Sequence, residues 1–311
     1  MVFVLLIDPV EALMLRGKGE FSPTVIGTRN YAISLLIPRP STVAGMLGTF
    51  FYDESNQRNN WLDILIDLFQ GKIDKIYGLI PVIKEENKYQ LLYPLRYDED
   101  IALFKSKKEI CDLIDVIKKG EHDKWEAKLF SAIKANNIIK YISISERLGI
   151  ALDREKKVTK EHYIYLARYV FPKYKIGVII KNWIDEEKLV AQLGGEGRVV
   201  SILKDDSLKI SVAEEGENVN LIDCVNKEAS YYSVLTPLVI NEDCVEESKD
   251  HMVIGKIDKI TMGFDIRFKR RKELVTAILE GSVIEKELLD RCEVNGRYSV
   301  IGYNAVTCLC L

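Results

Sequence analysis

Three glycines in the six residues LGGEGR, Leu193 to Arg198, leave a stretch of nearly bare backbone. Such a stretch suits the interior of neither a helix nor a strand, so the chain must turn there. The preceding residues DEEKLVAQL put Leu189, Val190 and Leu193 on one helical face, and Gly194 then falls where a helix C-cap requires positive φ. After the loop, Val199, Val200, Ile202 and Leu203 read as a buried strand. The sequence therefore predicts helix, loop, strand, with Arg198 at the loop exit. A tight αβ turn accounts for these residues. A bare loop of this kind also lets an RNA backbone or a protein chain approach closely.

The rest of the chain supplies alternating strands and helices. Val2 to Ile7 reads as a central strand, and a second apolar run covers Ala32 to Ile37. A helix is expected after Pro40, with Val43, Met46, Leu47, Phe50 and Phe51 as its buried stripe and Gly45 and Gly48 allowing close approach. Asn60 is placed to cap a second helix whose inner residues are Trp61, Leu62, Leu65, Leu68 and Phe69. Strands are expected over Ile73–Ile83 and Tyr89–Tyr97. Ser106 and Glu109 form a capping box for a helix buried through Ile110, Leu113, Ile114 and Ile117, and Trp125, Leu129 and Ile133 mark another. These two helices read as an insertion over about 98–140. A β-hairpin over about 147–172 follows, with the basic turn Arg154 to Lys157, and mostly strands after it. Pro172 marks the expected boundary between domains 1–172 and 173–311. The class is α+β, with a split βαββαβ, ferredoxin-like unit fitting each half.

Composition narrows the functions. The 311 residues carry 44 Lys+Arg against 47 Asp+Glu, a net charge of −3, so any RNA contact must come from local patches and not from a general basic coat. The start MVFVLLIDPVE has no basic leader region and reads as a strand, which favours the cytoplasm. Cysteines 111, 224, 244, 292, 308 and 310 form no CxxC pair near a histidine, and are expected to be reduced, buried and metal-free. His122, His162 and His251 lie in no nucleophile motif, and neither glycine-rich segment continues as a P-loop. A non-enzyme without cofactor or metal is expected.

Four segments in order, LRGKGEF (Leu15 to Phe21), PRPSTVAGML (Pro38 to Leu47), RLGIALDRE (Arg147 to Glu155) and LGGEGR, together with the late GYNAV (Gly302 to Val306), resemble the third-subunit family of Cmr-type (type III-B) CRISPR RNA-guided effector complexes, within the RAMP superfamily. The resemblance runs from about Val2 to the end of the chain. It implies two RNA-recognition-like ferredoxin folds with insertions. It also implies a non-catalytic antiviral-defence subunit that caps the 5′ repeat-derived tag of the guide RNA and joins the large polymerase-like subunit to the backbone subunit. The RNA-contact residues it implies are Lys18, Arg39, Ser41, Thr42, Arg147, Arg154, Lys157, Gly194, Gly195, Gly197 and Arg198. The basic run Lys269, Arg270, Arg271 reads either as a solvated turn or as a phosphate contact. Where the family pattern has acidic-Gly-Arg, this chain has Gly17-Lys18-Gly19, and a lysine offers a point charge in place of a bidentate fork. The alternative is a metal-independent endonuclease that processes guide RNA, with His162 as acid–base group beside Lys160 and Tyr163.

Overall fold

The computed structural model describes residues 2–310 except 18–30, 33, 53–59, 87, 98–99, 121–126, 128, 130, 132–140, 154–157, 184–187, 216–217, 225–228 and 266–268. The protein is α+β, built mostly of strands. Its first half begins with β1 (Val2–Pro9) and β2 (Tyr31–Ala32), followed by helix α1 (Pro40–Gly48) and helix α2 (Trp61–Phe69). Then come β3 (Lys75–Glu85), β4 (Lys88–Leu91), β5 (Tyr93–Tyr97), β6 (Asp100–Phe104) and helix α3 (Lys107–Lys118). The hairpin is β7 (Ile142–Asp153) and β8 (Val158–Pro172), and β9 (Lys175–Lys181), β10 (Lys188–Gln192) and β11 (Val199–Asp205) follow it.

Their main sheet has the order β10-β11-β1-β9-β3-β4, with every neighbouring pair antiparallel. The apolar run at the N-terminus is thus central, as expected. Helices α1 and α2 form the crossover from β1 to β3 and pack on the sheet. In α2 the buried residues are Trp61, Leu62, Leu65, Leu68 and Phe69, and Asn60 caps it by accepting a bond from the Leu62 N–H at 2.9 Å. Each such side chain contributes about 1.5–3 kcal/mol on burial. A Cβ at Gly48 would stand 2.7 Å from Leu65 Cδ2, whereas one at Gly45 would meet open space, so only Gly48 serves the α1–α2 approach.

Several expectations change. The segment before LGGEGR is the strand β10, paired from Lys188↔Leu203 to Gln192↔Val199, so the glycine loop joins two antiparallel strands. Its burial has period two: Ala191 and Leu193 point inward while Val190 is 65% exposed. The expected helical insertion contains a strand, β6, paired with β5, before α3. Of its second helix, Trp125 and Ile133 lie outside the described residues. The expected boundary at Pro172 does not divide the sheets, because β9, β10 and β11 complete the first one. Long-range pairing with β1 overrides the local break at the proline.

The second half comprises β12 (Val212–Glu215), β13 (Val219–Ile222), β14 (Tyr231–Val234), β15 (Leu238–Val239), a short helix Val245–Asp250, β16 (Met252–Ile254) and β17 (Ile257–Thr261). It ends with β18 (Phe264–Asp265), β19 (Arg270–Arg271), β20 (Leu274–Ile278), β21 (Val283–Glu285), a helix Lys286–Arg291 and β22 (Ala305–Cys308). The two short helices stand in the part where the sequence suggested mostly strands; six residues are too few to display a helical period. The main sheet has the order β12-β13-β22-β14-β21-β16. Strands β17 and β20, with β15, form a three-stranded sheet, and β18–β19 extends the β17–β20 pair.

The halves are locked together. The buried Asn220 side-chain amide donates to the Tyr77 carbonyl at 2.9 Å and the Ser299 carbonyl at 3.1 Å. Glu280, 4% exposed, accepts from Arg39 Nη1 at 2.8 Å and Arg96 Nη2 at 3.1 Å, and its backbone carbonyl accepts from Arg96 Nε at 2.9 Å.

The cysteines are not free thiols. Cys111 pairs with Cys310, Cys224 with Cys308 and Cys244 with Cys292, with Cα separations of 5.7, 5.1 and 5.6 Å. These distances lie in the range a disulfide accepts. The sequence separations of 199, 84 and 48 residues explain why local spacing gave no sign of them. Among the described residues no helix is long and apolar enough to cross a membrane.

Candidate nucleic-acid interface

The β10–β11 loop is held against the segment that follows β1. Gly194 has φ +82°, and a Cβ there would lie 2.6 Å from the Met14 carbonyl oxygen. Only glycine meets both conditions. The Gly195 N–H donates to the same Met14 oxygen at 2.8 Å, and the Leu193 N–H donates to the Arg198 carbonyl at 2.8 Å, closing the loop. Gly197, φ +63°, rests against the Gln192 side chain. Gly194 and Gly195 are exposed. The result is a fixed, open ledge of backbone.

Arg198 leaves this ledge toward the base of the hairpin. Its guanidinium lies 4.9 Å from the Tyr169 ring centroid, and that of Arg147 lies 5.2 Å from the same ring. The hairpin register explains the second contact: Arg147 faces Ala167, and Tyr169 stands two residues along on the same face. Tyr169, 5% exposed, is thus a buried post beneath two cations. The third member is Glu11. One carboxylate oxygen accepts from the Val199 N–H at 2.9 Å and the other from Arg198 Nη1 at 2.9 Å. The Val199 amide, then Arg198, hold the Glu11 carboxyl below the usual carboxylate range, with Arg147 adding to the pull. Two guanidinium groups thus stand against the Glu11 carboxylate at the Tyr169 ring.

The structure brings Gly194, Gly195, Gly197, Arg198 and Arg147 to one place. Lys18, Arg154 and Lys157 lie outside the described residues, as do the side chains of Lys160, His162 and Tyr163. Arg39, Ser41 and Thr42 gather at the start of α1, where Arg39 and Ser41 turn inward and Thr42 is half-buried. The Arg39 side chain is 14% exposed and engaged by Glu280. Ser41, 4% exposed, shares a 3.0 Å hydrogen bond with the Tyr303 hydroxyl. The Thr42 N–H donates to the Arg39 carbonyl at 2.9 Å. Arg39 and Ser41 join the helix start to the second half of the chain.

The basic run forms a projecting tongue. Exposed Arg270 and Arg271 occupy β19, and exposed Lys269 precedes it with φ +49°. The root of the tongue rests on α2. The Glu273 carboxylate accepts from Trp61 Nε1 at 2.9 Å and from the Tyr298 hydroxyl at 3.0 Å, while Lys272 Nζ sits 3.8 Å from the Trp61 ring centroid. Burial pulls the Lys272 ammonium down to about 8, with Asp265 and Glu273 acting in the opposite direction. The MGFD glycine, Gly263 with φ +107°, crosses above Ser41, and its carbonyl accepts from the Lys272 N–H at 2.9 Å. The PRPST and FKRRKE segments, more than 200 residues apart, are therefore neighbours.

Sequence reasoning missed Tyr169 as the post, Glu11 as the clamp and Trp61 as the seat of the tongue. The shared face of Arg147 and Tyr169 was available in the period-two pattern of the hairpin. Glu11 left no local signal.

The family described as CRISPR-associated protein (Cas_Cmr3) matches residues 131–304. A relative from Saccharolobus solfataricus, described as CRISPR system CMR subunit Cmr3, is 34% identical over 326 aligned residues, covering 98% of this chain and 96% of its own. A chain in the cryo-EM structure of the type III-B Cmr-beta bound to cognate target RNA superposes with a TM-score of 0.78 at 32% identity, covering 99% of this chain and 97% of the other. A second, from the same kind of complex with target RNA and AMPPnP, gives 0.75 at 30% identity, covering 98% and 99%.

Proposed function

From the chain's membership of the Cas_Cmr3 family of CRISPR-associated proteins, shown by its 34% identity to a Cmr3 subunit over nearly its whole length, we propose a non-catalytic RNA-binding role in a type III-B Cmr effector complex. In this role it caps the 5′ tag of the guide RNA and bridges the large polymerase-like subunit to the backbone subunit. The relatives of known structure stand in complexes bound to cognate target RNA. The observation that carries the reading is the ledge beside two arginines on one tyrosine. A single-stranded tag needs phosphate contacts to position it and open backbone to let it approach. Gly194 and Gly195 offer the approach; Arg147 and Arg198, oriented by Tyr169 and Glu11, offer the charge.

The strand orders support a ferredoxin-like reading of both halves. In a βαββαβ unit the strands lie in the order 4-1-3-2. The series β11-β1-β9-β3 and β22-β14-β21-β16 each have this order with antiparallel neighbours. On this reading the first unit closes at Asp205 and not at Pro172.

The test is guide-RNA binding by the reconstituted complex as a function of salt. Arg147→Ala and Arg198→Ala should each weaken binding and lower the slope of log K against log salt by about one, with thermal stability nearly unchanged. Wild-type affinity and slope in both variants would refute the site.

A further inference from the structure

We propose that the tongue of the second half carries a base-stacking shelf for single-stranded RNA, made by Phe264 beside Arg271. The inference deepens the RNA-binding reading and rests on it. Phe264, on β18, is 54% exposed. It is the cross-strand partner of Arg271 on β19, as Asp265 is of Arg270. Residues directly opposite on an antiparallel pair present their side chains to the same face. A large exposed aromatic ring therefore stands beside an exposed guanidinium, with the cations of Arg270 and Lys269 on the same short ribbon.

The chemistry of this patch selects its ligand. A ring beside a guanidinium presents a π-face for a base and charge for the phosphate next to it. Proteins that hold single strands combine these two elements. A purely apolar partner would leave the cations desolvated, and a duplex offers no unstacked base to the ring. Acidic peptides would use the cations and leave the ring idle.

The tongue is also held firmly enough to serve. The Glu273 carboxylate is gripped by Trp61 Nε1 and the Tyr298 hydroxyl, and Lys272 is seated on the Trp61 ring. Main-chain bonds from the Met262 N–H to the Glu273 carbonyl at 3.0 Å and from the Lys272 N–H to the Gly263 carbonyl at 2.9 Å close the ribbon immediately below Phe264. A shelf fixed before binding loses little freedom when a base settles on it.

Guide RNAs carrying 2-aminopurine at one position at a time test the proposal in the reconstituted complex. Wild-type protein should quench the probe at one single-stranded position. Phe264→Ala and Phe264→Leu should relieve that quenching and weaken binding about tenfold, while Phe264→Trp keeps both. Leucine retains the apolar bulk, so its failure isolates the ring. Wild-type quenching and affinity in Phe264→Leu, or no quenched position in wild type, would overturn the shelf. So would loss of a partner subunit with RNA quenching unchanged, which would make the tongue a protein contact. Arg198→Ala separates the two levels: if it weakens RNA binding while the Phe264 variants do not, the shelf fails and the broader reading stands.

Discussion

Replacing Glu280 by glutamine removes the charge that two buried arginines share. The side chains of Glu280 and Arg96 are each 5% exposed and that of Arg39 is 14% exposed. Taking one partner from a buried ion pair costs about 3–5 kcal/mol, because the remaining charge is left uncompensated. Here Arg96 keeps its bond to the Glu280 backbone carbonyl, and Arg39 has some access to water, so the lower part of that range applies, about 3–4 kcal/mol. An unfolding entropy of about 2.1 cal/mol/K per residue gives about 0.65 kcal/mol/K for a chain of this length. The melting temperature of Glu280→Gln should therefore fall by about 5–6 °C in scanning calorimetry. Replacing all three residues with apolar ones of similar volume should recover part of the loss. The same reasoning assigns Arg39 to the fold: Arg39→Ala should lower the melting temperature and leave the salt slope of RNA binding unchanged. A Glu280→Gln melting point within 1 °C of wild type, or an Arg39→Ala variant that loses one unit of salt slope at full stability, would refute it.

Gly194→Ala should cost about 1–3 kcal/mol in denaturant melts, from the strain of φ +82° and the clash with the Met14 carbonyl, and should weaken RNA binding by shifting the ledge. Lys272 titrates at about 8 in the fold and near 10.5 when unfolded. Between these values the unfolded chain keeps a proton that the folded chain has released, so stability should rise as pH is raised from 8 toward 10.5. The gain should be about 1–2 kcal/mol after the attraction of the Trp61 ring for the ammonium is allowed for, and Lys272→Met should show none of it in the same denaturant melts. Thiol titration in denaturant without reductant should return no free cysteine, and after reduction all six; six at the outset would show the pairs to be unformed.

Local periodicity sufficed wherever one face of an element meets the core and the other meets water. Helices α1 and α2, the Ser106 and Asn60 caps and the long hairpin were legible for that reason. It failed where a distant strand decides. Leu189, Val190 and Leu193 fit a helical face in the sequence, yet pairing with Val199 to Leu203 extends Lys188 to Gln192 into a strand, which turns Val190 out to solvent. Pro172 ends β8 without ending the sheet, because β9 returns to pair with β1. At the site, the glycines of the ledge announced themselves, but Tyr169 resembled any other inward aromatic. Glu11 and Trp61 acquire their roles only from partners 187 and 212 residues away.

The bond between Cys111 and Cys310 has a topological consequence. It closes a covalent ring through 199 intervening peptide links, so the polypeptide between these residues behaves as a loop without ends. The hairpin, the glycine ledge and the tongue all lie on that ring. A single backbone cut between β7 and β8, or at any other point of the ring, converts the loop into two arms that still share one molecule. Such a nicked chain migrates as one species until it is reduced, and then separates into two fragments. In the oxidised protein both arms stay tethered through Cys111 in the first half of α3, so the severed ends keep a high effective concentration for one another and the sheets can reassemble from them.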